Sequence, residues 1–309
     1  MSSSIYGPLI SVSDAEPHRA LLAEVFGMTA DGTGSLPPED VSGLFGVAAG
    51  AELTVMGTPG VDAGAVLCRF DAEGPVAAPI RDERTRIHRD AFRVIDFYAP
   101  DFVAAVQHAR DAGFPMATSE ASYELAEGSF REAHHGGADG VVTALLSGPA
   151  DFFTDFAQVR DRIVSEPVSI SLPLSDAAPT IDWYADVFGW GVVYTYDFVD
   201  ASFSELMQVD HELRVRSSTV GPSRQQTYVN IVDYGLTADQ AGSLHGQAVA
   251  PRRGVLGLVV LTDDLDDVIS RAGTSAGPAV TIDLAPFGRC RTSVLVPPCA
   301  TPHLVIERC

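Results

Sequence analysis

Tyr194, Tyr196 and Phe198 alternate within VVYTYDFV. Alternate side chains on a strand share one face, so this run forms an aromatic stripe. Such a stripe could stack a flat polycyclic ligand or pack against a neighbouring domain, and the residues leave both readings open. Other groups able to bind metals or move protons are the eight histidines, His18, His88, His108, His134, His135, His211, His245 and His303. His134 and His135 are adjacent in the turn-like segment HHGGADG, and neighbours on a strand point to opposite faces, which disfavours joint ligation of one ion. His303 and Glu307 share a face by parity but lie about 13 Å apart at ~3.3 Å per residue, too far for one metal. Solvent-exposed or loop positions are expected for nearly all eight. All 20 basic residues are arginine, so Schiff-base catalysis and a lysine phosphate loop are excluded. Neither a G-x-S-x-G elbow nor a P-loop occurs. The cysteines, Cys68, Cys290, Cys299 and Cys309, include no C-x-x-C pair, which excludes a zinc knuckle or redox motif and fits buried thiols in a reducing compartment.

The elements that would position these groups come in copies. Residues 12–28, VSDAEPHRALLAEVFGM, align without a gap to residues 174–190, LSDAAPTIDWYADVFGW, with eight identities, among them Ser13/Ser175, Asp14/Asp176, Phe26/Phe188 and Gly27/Gly189. The offset is 176 − 14 = 162. ELTV at 52–55 and ELRV at 212–215 give 160, and the helix starts at Asp101 and Asp263 give 162 again. Such self-similarity sets the architecture before any other argument. Each copy divides once more. Apolar strands at 9–12, 93–98, 168–174 and 255–261 each lead to a capping aspartate: Asp14, Asp101, Asp176, and Asp263 or Asp264. A helix follows, ended by Gly27, Gly113, Gly189 or Gly277, and then strand-like runs such as AELTVMG, GAVLCRF, VVTALL, TYVNIV and RTSVLV. The unit is strand–helix–several strands, four times over. The expected organisation is a first domain at 1–150, a partly helical linker at 151–165 and a second domain at 166–309. The arginine-rich run 81–93, RDERTRIHRDAFR, interleaves acids and reads as a solvated connector.

At 309 residues, 46% apolar and 20% charged, the chain suits two domains, each large enough for its own core. No run of 18 apolar residues occurs, and the first residues lack the basic and apolar regions of a secretory signal. A cytoplasmic protein without membrane partners is expected. The net charge of −21 and pI near 4.5 argue against binding to nucleic acid.

A fourfold βαβββ unit with openings like SVSDAEPHRALLAEVFGM and PLSDAAPTIDWYADVFGW resembles the vicinal-oxygen-chelate superfamily, which holds glyoxalase I, extradiol dioxygenases and bleomycin resistance proteins. The resemblance covers nearly the whole chain. It implies an α+β fold of four βαβββ modules forming two cup-shaped, mostly antiparallel sheets with ligand inside. Cups within each half, or across halves by pairing modules one with four and two with three, are both compatible with it.

Metal enzymes of the family place a histidine seven residues before a module's capping aspartate and a glutamate on a module's last strand. Here the first positions hold Gly7, Val94, Ser169 and Gly257, and the second hold Ala144 and, alone, Glu307. No metal and no other cofactor is expected. The resemblance turns Val94, Asp96 and Tyr98, and Ser169, Ser171 and Pro173, toward a cup, with Ile95, Phe97, Ile170 and Leu172 beneath the helices. A carboxylate in a cup costs free energy unless paired, so Asp96 would bind a ligand amine or hydroxyl, act as a base, or pair with Arg84, Arg86, Arg89 or Arg93. The candidate ligand-binding residues are Asp96, Tyr98, Ser169, Ser171, Trp190, Tyr194, Tyr196 and Phe198. The first functional expectation is metal-independent binding of an apolar or aromatic small metabolite, by antibiotic sequestration or in secondary-metabolite biosynthesis. The alternatives are acid–base, cyclisation or oxygenation chemistry on a polyketide-like substrate, with Asp96 or Tyr98 catalytic, and a degenerate domain kept for protein contacts. The expected partner is a small-molecule ligand, with a homodimer left open.

Overall fold

A computed structural model describes residues 3–72 and 77–308. The first module comprises β1 (Ser3–Ser11), α1 (Ala15–Glu24), β2 (Thr29–Leu36), α2 (Pro38–Phe45), β3 (Ala51–Gly57) and β4 (Gly64–Phe70). The second runs through β5 (Val94–Tyr98), α3 (Phe102–Asp111), β6 (Ala121–Leu125), β7 (Gly128–Gly136) and β8 (Val142–Ser147), and α4 (Ala150–Phe156) follows as the link. The third holds β9 (Pro167–Pro173), α5 (Ala178–Phe188), β10 (Gly191–Val199), α6 (Ala201–Leu206), β11 (Arg214–Gly221) and β12 (Tyr228–Asp233). The fourth holds β13 (Gly254–Thr262), α7 (Leu265–Ala272), β14 (Val280–Leu284), β15 (Gly288–Leu295) and β16 (His303–Glu307).

The repeated residues fall on equivalent elements. Asp14 is the N-cap of α1 and accepts a hydrogen bond from the backbone N–H of Glu16, while Asp176 accepts one from Ala178, the first residue of α5, from one position before the cap residue Ala177. Gly27 (φ 61°) and Gly189 (φ 73°) take the left-handed conformation that ends each helix. The fourth cap is Asp264, which accepts from Asp267 N, so the anchor placed at Asp263 is off by one. Helix α7 ends at Gly273 (φ 56°), four residues before the Gly277 expected from sequence.

The modules pair across the halves. One eight-stranded sheet has the order β14-β15-β16-β13-β1-β4-β3-β2, the other β10-β11-β12-β9-β5-β8-β7-β6. Modules one and four therefore build the first cup, and two and three the second. Within each module the first and last strands are parallel. Antiparallel pairing of β1 with β13, and of β5 with β9, joins the modules. One apolar cluster takes the helix-facing side chains of both sheets, such as Ile10, Ile95, Phe97, Ile170, Leu172 and Leu258, together with residues of α1, α3, α5 and α7. The helices thus lie in a layer common to the two sheets.

The two cups differ in filling. The inner face of the first packs Leu9, Val66, Val259, Leu284 and Leu304 with Val41 and Leu44 of α2 in one apolar cluster. A register shift in β1 between Ile5 and Gly7 brings Tyr6 into the same cluster. The second cup's cluster is rich in aromatics, including Tyr123, Phe130, Phe198, Phe203 and Tyr228.

The run 81–93 is not a solvated connector. Arg93 is buried (1% exposed); its Nε donates to the His88 carbonyl and its Nη1 to that of Ile80. Arg81 in turn donates to the Arg93 carbonyl. These guanidinium groups supply donors to loop carbonyls, the Ile80 carbonyl also accepting from the Thr85 hydroxyl. Histidine burial also departs from expectation: His18, His134, His135 and His303 are all buried. Cys68, Cys290 and Cys299 are buried, while Cys309 lies outside the described residues. No described helix is long and apolar enough to cross a membrane.

Because each sheet takes strands from both halves, a half alone would expose the edges of β1 and β5, or of β9 and β13, as unpaired strands. Fragments 1–157 and 158–309 made separately are expected to be aggregated or unfolded, and to regain native circular dichroism when mixed. A monomeric, cooperatively melting fragment 1–157 would contradict this.

Candidate ligand-binding site in the second cup

Strand β5 carries Val94 and Asp96 on the cup face, and β9 beside it carries Ser169 and Ser171; the register sets Asp96 opposite Ser169. On β7, Phe130, Glu132 and His134 alternate, so all three face the same space. Strand β10 adds Tyr194, Tyr196 and Phe198, and β12 adds Tyr228 and Asn230. Phe203 and Met207, from α6 and the residue after it, line the cavity too. The Ser202 hydroxyl fastens α6 to β6, accepting from Ser122 N at 2.9 Å and donating to Ser122 O at 3.1 Å. The cavity volume is about 60 Å³. That is room for a few waters, so a ring-sized guest needs the wall side chains to move apart. A second cavity, of about 190 Å³, shares His134 and Met207 with the first.

The polar side of the cavity is a connected network. Asp96 Oδ2 accepts from the Ser169 and Ser171 hydroxyls. Asn230 Nδ2 donates to the Tyr196 hydroxyl at 2.8 Å and to Ser171 Oγ at 3.4 Å, while its Oδ1 accepts from Ser217. Glu132 accepts from the Tyr123 hydroxyl at 3.0 Å and lies 2.7 Å from His134 Nε2. His134 Nδ1 is buried without a partner among the described residues. Burial, and after it the charge of Glu132, push the Asp96 carboxyl up to about 7, against the opposing pull of the Ser169 and Ser171 hydrogen bonds. Burial first, then Glu132, raise the Tyr123 phenol well above its ordinary value.

Of the residues singled out by sequence, Asp96, Ser169, Ser171, Tyr194, Tyr196 and Phe198 meet at this cavity. Two do not reach it. Tyr98 turns to the same side of the sheet, but Phe153 of α4 stacks on it at 3.8 Å and 12° and covers it. Trp190 lies in the layer between the sheets, stacked on Phe188 at 4.4 Å, with its indole N–H donating to the Ser3 carbonyl at 3.1 Å. Asp96 pairs with none of the nearby arginines: Arg86 donates to Gln208, Arg89 to the Ala241 carbonyl and Arg93 to loop carbonyls. The stripe on β10 serves the wall and the packing together, for Phe198 stacks on Tyr123 at 4.3 Å while Tyr194 meets Phe152 and Phe156 edge-on. Sequence reasoning missed Glu132 and His134 because HHGGADG reads as a turn. The signal was the alternation Phe130–Glu132–His134, which continues along β7 to Gly136.

No protein-family model and no curated protein sequence matches the chain. Solved structures do. Glyoxalase I from Zea mays superposes with a TM-score of 0.62 at 13% identity, covering 99% of this chain and 92% of that one. A point mutant of the same maize enzyme gives 0.63 at 12% identity with the same coverage. A protein from Bacillus subtilis named as a putative dioxygenase gives 0.54 at 11% identity, covering 98% of this chain and 84% of that one. The chain has the vicinal-oxygen-chelate fold. At these identities the likeness concerns architecture alone, and one architecture hosts many chemistries.

The metal positions of vicinal-oxygen-chelate enzymes test poorly here. Val94 and Ser169 line the cavity where the resemblance puts first-strand ligands, and Ala144 on β8 carries no donor. Glu307 is spent elsewhere, accepting from Leu265 N at the start of α7 and lying 3.5 Å from Arg291. Among the described residues no group of three or more His, Cys, Asp or Glu stands close enough to hold a metal ion. A catalytic divalent metal needs three or four converging protein ligands, and these donors do not fit that requirement.

The raised Asp96 has a signature in stability. An acid whose folded-state pKa is raised contributes stability that is fully present below its unfolded value and lost as pH rises through the folded one, here from 3.8 to about 7. Asp96→Asn removes this dependence and keeps the shape. In urea melts the variant should match the native protein near pH 4 and exceed it by on the order of 1–4 kcal/mol at pH 8. A difference that stays flat with pH would show that Asp96 ionises as an ordinary carboxyl.

Proposed function

We propose that the second cup binds a small aromatic molecule, held between flat apolar walls with its polar end at the Asp96–Ser169–Ser171–Asn230 network, and without a metal as the holding element. The observation that carries this reading is the make-up of the second cup, a cavity with aromatic walls and a few convergent polar groups. That combination is the usual make-up of a small-molecule site. Sequestration of an antibiotic, or the handling of a secondary metabolite, needs no more than such a cup.

A second reading, acid–base catalysis in the same cup, is favoured by one observation. Glu132 and His134 form a hydrogen-bonded pair on the cavity wall, beside Asp96, whose carboxyl burial and the charge of Glu132 push up toward the range where a general acid or base works best. Asp96 is the acid–base candidate in that case; Tyr98, covered by Phe153, has no access to a ligand.

Titration with indole, a planar neutral probe, tests the first reading by calorimetry. Tyr196→Ala should weaken binding by about 1–3 kcal/mol if the ring is a stacking wall. Unchanged affinity with a lowered Tm would assign Tyr196 to packing alone, and no binding of indole to the native protein would count against the aromatic-ligand reading.

A further inference from the structure

We propose that the ligand of the second cup carries a protonated amine, and that its ammonium group sits at Asp96 and Glu132 within a cage of tyrosine rings. The inference rests on the small-aromatic-ligand reading and adds the charge of that ligand.

Four acidic residues, Asp90, Asp96, Glu132 and Glu166, are buried among the described residues. Two are plainly structural. Asp90 accepts from Ser175 N, Ser175 Oγ and Ser243 Oγ, and Glu166 from the backbone N–H groups of Gln158 and Val159. Asp96 and Glu132 face the cavity instead. Neither meets an arginine among the described residues; the sole ion-pair partner of Glu132 there is His134. Both serine hydroxyls that reach Asp96 go to Oδ2, and no described residue donates to Oδ1. A carboxylate oxygen on a residue only 6% exposed thus faces the cavity without a donor. Buried carboxylates are costly unless a cation or a donor meets them, and a ligand ammonium supplies three donors and a positive charge.

The walls suit the same group. Tyr196, Tyr228 and Tyr234 lie within electrostatic reach of Asp96 and line the cavity; Tyr123 lies there too, but with Phe198 stacked on its ring. Tyrosine rings attract a cation over their faces. A carboxylate or phosphate on the ligand would meet the field of Asp96 and Glu132 and be repelled. A neutral hydroxyl could bond to Asp96 but would leave two carboxylates close together without a counter-charge.

The test compares 2-phenylethylammonium with its neutral isostere 2-phenylethanol by calorimetry on the full chain at pH 8, with native protein, Asp96→Asn and Glu132→Gln. The expected result is binding of the amine about tenfold or more tighter than of the alcohol. That preference, read as the ratio of the two affinities within each protein, should shrink in both variants. The amine should also bind about tenfold more weakly at pH 6 than at pH 8, as Asp96 takes up a proton, with alcohol binding nearly constant. Native far-ultraviolet circular dichroism and a cooperative thermal melt are the check that a variant is folded. Equal binding of the two probes, or a preference that survives both substitutions, overturns the ammonium inference and leaves the aromatic-ligand reading in place. Failure of both probes to bind native protein overturns the reading and the inference with it.

Discussion

Antiparallel pairing of β1 with β13 and of β5 with β9 is the constraint on which the rest of the structure depends. A module's first strand lies parallel to its last, which leaves the other edge of that first strand open. Another module's first strand closes it. Once modules one and four have paired, two and three are brought to each other, and their helices fall into one apolar layer. That layer ties the sheets with few polar contacts. The Trp190 indole reaches the Ser3 carbonyl, and the Tyr184 hydroxyl lies 2.8 Å from His303 Nε2. The second cup is therefore held from behind by the whole molecule, and its walls need not supply the stability of their own sheet. This freedom is what allows buried carboxylates there, since a group costing a few kcal/mol is tolerable only against a large surplus elsewhere.

The same layer explains how two cups built alike come to differ. Duplication constrains the helix-facing residues, which must fit one shared core. It does not constrain the concave faces, which meet only each other. In the first cup α2, between β2 and β3, places Val41 and Leu44 in the concavity. In the second, α6 occupies the corresponding place between β10 and β11 and contributes Phe203 at the cavity wall rather than filling the space. The link helix α4 adds a further difference: its Phe153 closes off Tyr98, narrowing the polar part of the cavity to the Asp96 side.

Much of this was legible in the sequence, for identifiable reasons. Asp14, Asp101 and Asp176 mark helix starts, and Gly27 and Gly189 helix ends, because capping and left-handed turns are local requirements that a few residues satisfy. The family resemblance turned Asp96, Ser169 and Ser171 toward a cup, and strand parity put the three aromatics of β10 on one face, since a strand's period is fixed. Pairing across the halves was not legible, because either arrangement satisfies the same apolar pattern and the choice is made by contacts between residues far apart in the chain, such as Ser3 with Thr262. Short helices α2 and α6 were missed because PEDVSGLF and ASFSEL are too brief to show a period. Glu132 and His134 were missed because two glycines after His135 suggested a turn. In the structure β7 runs on to Gly136, held by pairing of His134 with Ala144 and His135 with Thr143. Trp190 was misplaced because a residue after a left-handed glycine has no parity to argue from.

The identities between the copies carry a lesson about where function lies. Ser13 and Ser175 are the same residue in both halves, and each is held by an aspartate in the left-handed conformation. Ser13 N and Oγ donate to Asp139 (φ 53°), and Ser175 N and Oγ donate to Asp90 (φ 64°). Asp139 also meets His18 and Arg253, and Asp90 also meets Ser243, so each carboxylate pins connectors from different modules at the top of a module helix. Aspartate tolerates positive φ better than most residues, and the several hydrogen bonds it accepts offset the strain. The shared serine is thus a docking point of the scaffold. On the cup faces the copies disagree: Gly7, Val94, Ser169 and Gly257 stand at equivalent places, and only the middle two line the cavity. In a duplicated chain of this kind, residues that match between copies record how the modules are held together, and the site is found where they do not match.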